Sequence, residues 1–401
     1  MSVTAAEGFR AAGVRAGLKA SGRPDLALVV NDGPLDVAAG VFTTNRIVSA
    51  PVIWSRGVIA GERGGSGSAR AVVLNSGSAN ACTGPRGAAD AAVTAERVAG
   101  LLADCSVSVG DVLVCSTGVI GVPIDMPALE EGVASAVRIL SASRRAGHDA
   151  ATAIMTTDTV PKEDAITVTT TAGDSWTVGG MIKGVGMLAP GLATMLCVIT
   201  TDAVVEADAA ARALSAAAAR TVGRINSDGC MSTNDTVLLL ASGSSGLAPA
   251  PGDFDAAVAE ILSRLGRRLV ADAEGATHDI AITVTGAITE AAAETAARTV
   301  SASNLLKCAV AGGDPNWGRV LSQLGTVSED ACPFDPDEVD VTINGVTLFR
   351  HGELGEDRAL VDMSPRETRI DIDLSAGGAR ATVWTNDLTH GYVTINADYT
   401  T

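Results

Sequence analysis

Short apolar, β-prone runs alternate along this chain with alanine-rich stretches of helical periodicity, and that alternation restricts the fold more than any other feature. Candidate strands fall at Leu26–Asn31, Ala71–Asn75, Val112–Cys115, Ala165–Thr170, Thr194–Thr200, Thr236–Ala241 and Ile280–Thr285. Helical patterns lie between them near Gly87–Leu102, Ala207–Ile225 and Phe254–Glu274. In the last, Phe254, Val258, Ile261, Leu262, Leu265 and Leu269 recur at helical spacing and make one apolar face. Glu274 is expected at the end of that helix, with Gly275 as its stop. The pattern predicts an α/β (α+β) fold of layered sheets flanked by helices. Aromatic residues are only 3% of the chain while apolar residues are 47%, so its core must be assembled from Ala, Val, Leu and Ile.

Glycine- and serine-rich stretches at Gly61–Ser68 and Ser242–Asp253 read as surface loops, because strong elements continue on either side. A division is expected after the helical stretch near Thr289–Ser303, where Thr289 is a candidate N-cap. Beyond it the chain is strand-rich at Val339–Ile343, Arg369–Leu374 and Ala381–Trp384, predicting a smaller α+β domain over residues 304–401.

The net charge of −17 comes without a basic stripe, which excludes binding built on phosphate neutralisation and hence a nucleic-acid partner. Seven scattered cysteines without a CxxC pattern read mostly as reduced, buried thiols. Four histidines show no metal spacing, so no metal is expected. No stretch approaches a membrane span and the start lacks an apolar leader, so a soluble, cytoplasmic protein is expected.

Three polar, glycine-rich turns end candidate strands: LNSGSANACTG (Leu74–Gly84), CSTGVIG (Cys115–Gly121) and SDGCMSTNDT (Ser227–Thr236). Such turns collect active sites in α/β proteins, because they expose backbone N–H groups and short hydroxyls. Thr117 and Gly118 offer one of each to a developing oxyanion. Gly184-Val185-Gly186 lacks the third glycine and the strand entry of a dinucleotide loop, and no GxSxG elbow accompanies the histidines. A nucleophile that needs no histidine remains. Thr194 opens the run TMLCVIT, where it is either a β-branched strand residue or a nucleophile. If the Ala193–Thr194 peptide broke by attack of the Thr194 hydroxyl on the Ala193 carbonyl, the new α-amine, with a pKa near 8, would be its base.

KGVGMLAPGLATMLCVITTDA resembles the autocleavage segment of the ornithine acetyltransferase (glutamate N-acetyltransferase) family. GFRAAGVRAGLKASGRPDLAL, LNSGSANACTG, CSTGVIG, AIMTTDTVPK, STNDTVLLL, DAEGATHDI, GGDPNWGRV and NADYTT are also similar to its blocks, in family order over essentially the whole chain. The resemblance implies an N-terminal-nucleophile-like, self-processing fold. Cleavage would leave an α-chain of residues 1–193 and a β-chain from Thr194, whose residues 194–303 complete the catalytic domain. It implies Thr194 as nucleophile, Thr117 and Gly118 as oxyanion hole, and Thr156, Lys183, Thr194, Glu274, Asn396 and Thr401 as substrate-binding positions. Lys183 would meet a carboxylate and Glu274 an ammonium. Taken singly, Lys183 also reads as a surface lysine, Glu274 as a helix-end charge and Thr156 as a turn residue.

The implied reaction moves acetyl from N2-acetyl-L-ornithine to L-glutamate through an acetyl-threonine, in arginine biosynthesis and without a cofactor. Some family members also accept acetyl-CoA, which would then be a co-substrate. The implied assembly is a heterotetramer of two α- and two β-chains. The rival readings are a self-processing amidohydrolase or aminopeptidase of related fold and a binding protein that has kept the fold. Trp317 and Arg319 in GGDPNWGRV read as structural.

Overall fold

The computed structural model describes residues 2–189 and 195–398. Among them the strands form three sheets. The four-stranded sheet has the order β1 (Phe9–Val14), β2 (Leu26–Asn31), β4 (Ala71–Ser78), β5 (Val112–Val119), and is antiparallel except between β4 and β5. The five-stranded sheet has the order β3 (Val37–Phe42), β9 (Thr236–Ala241), β8 (Leu196–Thr201), β7 (Ser175–Lys183), β6 (Lys162–Thr169), with β8 and β9 parallel. The six-stranded sheet runs β13 (Glu353–Leu354), β12 (Val346–Arg350), β11 (Asp340–Ile343), β14 (Glu367–Asp373), β10 (Asp279–Ala287), β15 (Ala379–Asn386).

Helices α1 (Ala50–Ile59), α2 (Gly84–Leu101), α3 (Met126–Ile139) and α4 (Arg144–Ala153) pack on the first sheet, and α5 (Ala207–Arg220) and α6 (Pro251–Ala271) on the second. Helices α7 (Glu290–Ser301), α8 (Asn304–Ala311) and α9 (Trp317–Leu324) share the core of the third, and α10 (His390–Asp398) ends the described chain. The layers follow from side-chain alternation in the central sheet. Met181, Leu196, Val198, Leu238 and Leu240 enter the core shared with the first sheet. Their neighbours Ile182, Cys197, Ile199, Val237 and Leu239 enter the core under α5 and α6. The middle of the central sheet is therefore apolar on both faces, and β8 and β9 read as nearly unbroken hydrophobic runs.

The apolar stripe expected on α6 lies wholly within that second core. The helix stops at Ala271, so Glu274 sits in the turn beyond it rather than on its last residue. Gly275 in that turn has a φ of +67° and faces the backbone of Tyr392. Thr289 caps α7, accepting the Ala292 N–H at 3.1 Å. The C-terminal sheet opens at β10, upstream of residue 304, because β10 hydrogen-bonds between β14 and β15. Only Cys115, Cys197 and Cys332 are buried; Cys82, Cys105, Cys230 and Cys308 are exposed, since they sit on turns and helix surfaces rather than in strands. Trp317 stacks on Phe349 with ring centres 5.2 Å apart, and Arg319 donates to the Leu305 carbonyl at 2.7 Å, both structural contacts. No helix among the described residues is long and apolar enough to cross a membrane.

Leu265 on α6 packs over β7 at Gly180, where a Cβ would stand 2.9 Å from its Cδ1. Leu265→Ala leaves a void in a core with little room to collapse and is expected to cost about 2–5 kcal/mol. Thermal melting should register a lower midpoint with an unchanged far-ultraviolet spectrum; an unchanged midpoint would contradict this packing.

Candidate active site

The parallel register of β4 and β5 sets Ser76 beside Thr117 and Gly77 beside Gly118, which brings the first two glycine-rich turns together. Gly118 has a φ of +130°, and a Cβ there would lie 2.4 Å from the Gly77 carbonyl carbon. Only glycine fits such an approach. The third turn joins them through Asn234, whose amide donates to the Ser116 carbonyl at 2.8 Å and to the Ala79 carbonyl at 2.6 Å. Ser116 in turn donates to Asn75 at 2.6 Å.

The second and third of these turns border an open cavity, through Thr117 and Gly118 and through Asp228 and Cys230. Thr117, Gly118, Thr156, Lys183, Glu274 and Asn396 all line it, although they are scattered over the whole sequence. Ala193, Thr194 and Thr401 lie outside the described residues. Lys183 ends β7, is buried, and donates through Nζ to Thr117 Oγ1 at 3.2 Å. The Glu274 carboxylate accepts from the Thr157 hydroxyl and from the Asn396 amide, both at 2.9 Å. Thr156 is held by Asp158, which accepts its backbone N–H at 2.9 Å.

Asp158 is the buried centre of this arrangement. Its Oδ1 accepts from Lys162 Nζ at 2.7 Å and from the Gly184 N–H at 2.8 Å. Burial works to raise its carboxyl, but Lys183, Lys162 and the Thr156 N–H outweigh burial and hold it below the usual carboxylate range. Burial likewise pulls the Lys183 ammonium below its usual value, while Asp158, Asp235 and Glu274 oppose that shift. Asp235 accepts the Met195 N–H at 3.1 Å through Oδ1, whereas its Oδ2 has no hydrogen-bond partner among the described residues. The neighbouring Thr43 hydroxyl donates to the Ser232 carbonyl instead. Burial accordingly pushes Asp235 well above the usual range, with Lys183 opposing.

Sequence reasoning missed Asp158, Thr157, Asp228, Asp235 and Tyr392. The available signal was a carboxylate inside a motif otherwise made mostly of small and hydroxyl residues: Asp158 in AIMTTDTVPK, Asp228 and Asp235 in SDGCMSTNDT. Asp228 also lines the cavity and accepts the N–H groups of Met187 at 2.7 Å and Cys230 at 3.1 Å.

A cavity that gathers one buried lysine, two carboxylates and a threonine–glycine turn defines an α/β enzyme for a small charged metabolite. Residues 10–401 match the ArgJ family, and the chain belongs to that family of bifunctional arginine-biosynthesis enzymes. A protein named arginine biosynthesis bifunctional protein ArgJ from Bifidobacterium longum (strain NCC 2705) is 56% identical over 401 residues, covering 100% of both chains. One of the same name from Streptomyces coelicolor is 56% identical over 399 residues, again covering 100% of both. Among solved structures, ornithine acetyltransferase complexed with ornithine from Mycobacterium tuberculosis is 52% identical, with a TM-score of 0.44, over 49% of this chain and 96% of that one.

Asp235 gives a pH prediction with a definite sign. Its folded pKa is raised, so its contribution is most favourable below the unfolded value of about 3.9 and is lost as pH climbs through the folded one. Asp235→Asn keeps an oxygen for the Met195 N–H and removes the buried charge facing Lys183. Its melting temperature should exceed wild type at neutral pH, and the gap should close below about pH 4. A gap of the opposite sign at neutral pH would refute the assignment.

Proposed function

We propose that this chain transfers acetyl from N2-acetyl-L-ornithine to L-glutamate through an acetyl ester on Thr194, after cleaving its own Ala193–Thr194 bond. The observation that carries the reading is the contact of Lys183 with Thr117 in the cavity that Thr156, Glu274 and Asn396 also line. Because the ammonium donates to Thr117 Oγ1, the threonine keeps its own O–H for a second acceptor, and the charge makes it a stronger donor. Thr117 and the Gly118 N–H then serve as the oxyanion hole. The relatives' name, arginine biosynthesis bifunctional protein, supports an amino-acid substrate class.

The chemistry runs in two halves. The Thr194 hydroxyl attacks the acetyl carbonyl while its α-amine takes the hydroxyl proton. That proton passes to the departing nitrogen of ornithine as the amide C–N bond breaks, and acetyl remains on the threonine oxygen. Glutamate's amine then attacks the ester carbonyl, the threonine oxygen leaves with the proton returned, and N-acetylglutamate departs. Thr401 joins Asn396 in holding substrate. Acetyl-CoA, where accepted, would load the same threonine, and no cofactor takes part. We place the enzyme in the cytoplasm as a heterotetramer of two α- and two β-chains.

Intact-mass measurement tests both processing and intermediate. Wild type should give fragments of residues 1–193 and 194–401, and N-acetylornithine alone should add one acetyl to the second. Thr194→Ala should stay a single, inactive chain. Thr117→Ala should slow acetylation and transfer by about 10²–10³-fold, the usual loss for one oxyanion donor. Release of acetate at the same rate with and without glutamate would point to a hydrolase instead. Full activity in an uncut wild-type chain would remove the nucleophile assignment.

A further inference from the structure

The block GFRAAGVRAGLKASGRPDLAL (Gly8–Leu28) supplies none of the described cavity lining, yet Lys19 within it reaches the cavity wall from behind. Asp25 is buried and accepts four successive backbone N–H groups, from Ala16 at 2.6 Å, Gly17 at 3.1 Å, Leu18 at 2.6 Å and Lys19 at 3.0 Å. The loop is thereby folded around one carboxylate, and its last residue sends its side chain across to the end of α4. There the half-buried Lys19 Nζ donates to the Met155 carbonyl at 2.5 Å, the Pro24 carbonyl at 2.9 Å and the Ala153 carbonyl at 3.5 Å. All three acceptors are neutral. Lys162 differs in kind, because it closes ion pairs with Asp158 and Asp272.

Met155 precedes Thr156, and the peptide between them is gripped from both sides. Its carbonyl takes the ammonium of Lys19, and its N–H is given to Asp158 Oδ2 at 2.9 Å. A charged donor on the carbonyl polarises the peptide and makes the N–H the stronger donor. The consequence reaches the cavity at once, because Thr156 and Thr157 line it and the Thr157 hydroxyl donates to Glu274. The rest of the arrangement does not depend on Lys19. Asp25 holds the loop, and the Ala153 carbonyl has a second donor in the Ser76 hydroxyl at 2.7 Å. Loss of the ammonium therefore falls chiefly on the Met155–Thr156 peptide.

We infer that Lys19 is a positioning residue for substrate binding: it holds the Met155–Thr156 peptide against Asp158 and so sets where Thr156 and Thr157 stand in the cavity wall. The inference rests on the proposed reaction, in which Thr156 holds substrate. Lys19 acts through that peptide and does not itself line the cavity. Its charge is part of the hold, since an ammonium donates to a carbonyl more strongly than a neutral amine does. Burial lowers its pKa to about 8; Asp25 and Asp158 oppose that shift, while Lys183 and Arg23 add to it. The hold should accordingly loosen as pH rises through about 8.

Steady-state acetyl transfer from N-acetylornithine to glutamate reads the effect. Lys19→Met should raise the KM for N-acetylornithine about tenfold, the usual weight of one lost charged hydrogen bond, and leave kcat within about threefold of wild type. Because Lys19 works through Thr156, the same change made in a Thr156→Ala background should move KM by less than about twofold. An undiminished effect in that background, or a fall in kcat at unchanged KM, is what a merely structural lysine gives and overturns the inference. Should Lys19→Met not fold, a pH series from about 7 to 9.5 decides. KM should climb above about pH 8 in wild type and stay level in Lys19→Arg, whose guanidinium keeps its charge. Parallel profiles overturn the inference. Wild type that transfers no acetyl refutes the proposed reaction itself, whereas active wild type with an unaltered Lys19→Met refutes only the role of Lys19.

Discussion

A single buried carboxylate ties the site together. Asp158 reaches Lys162 at the start of β6, the Gly184 N–H just past β7 and the Thr156 N–H within its own turn. Lys162 passes the connection to Asp272 at the end of α6, 2.5 Å away, and Asp272 also accepts the Thr159 N–H at 3.1 Å. Three cavity-lining positions hang from this network: Thr156 directly, Lys183 through the peptide that follows it, and Glu274 two residues beyond Asp272. A buried ion pair is weak evidence for net stability, since desolvation consumes much of its attraction. Its value here is register. Breaking it by removing one partner leaves an uncompensated charge and typically costs about 3–5 kcal/mol, so the turn, strand and helix end are locked at fixed separations.

The same network explains how Lys183 exists where it does. An ammonium buried completely, with a threonine hydroxyl as its hydrogen-bond partner, would ordinarily shed its proton. Asp158, Asp235 and Glu274 supply the opposing field without contacting it in a closed pair. Its hydrogen bond to Thr117 is thus made without a closed ion pair to a carboxylate among the described residues. Asp235 carries the least compensated part of that arrangement, with one oxygen on the Met195 N–H and the other unbonded among the described residues.

Legibility in the sequence followed local physics. β2 and β9 are almost continuously apolar, and their expected limits match the structure residue for residue. α6 was visible through its apolar stripe and α7 through its cap. β7, SWTVGGMIK, was not legible, because two central glycines erase its strand signal. Their reason is tertiary: a Cβ on Gly179 would lie 2.3 Å from the Ser2 carbonyl oxygen, and one on Gly180 would crowd Leu265. β1, FRAAGV, was hidden for the same cause, its Gly13 lying against the Asp149 carbonyl. In the site, Thr117 and Gly118 were readable from turn chemistry, and Lys183, Glu274 and Asn396 only through family resemblance. The aspartates escaped because a carboxylate's burial depends on partners outside its own motif, such as the Gly184 N–H on Asp158 and the Met195 N–H on Asp235.

The central sheet also bears on what a break at Ala193–Thr194 would do. β3, β6 and β7 precede that bond and β8 and β9 come after it, yet β8 lies between β7 and β9, and β3 pairs with β9. Two of the four strand pairings in that sheet, β7 with β8 and β3 with β9, would therefore join different fragments. On the upstream side Leu188 and Ala189 are buried, and the Leu188 carbonyl accepts the Ser227 N–H at 2.5 Å. On the downstream side Met195 is buried, bonded through its N–H to Asp235 and through its carbonyl to the Thr236 N–H at 3.1 Å. Both flanks are thus pinned to the single turn from Ser227 to Thr236. Met195 is held at both its N–H and its carbonyl. Separating the fragments after cleavage would require opening two apolar cores and breaking two strand pairings.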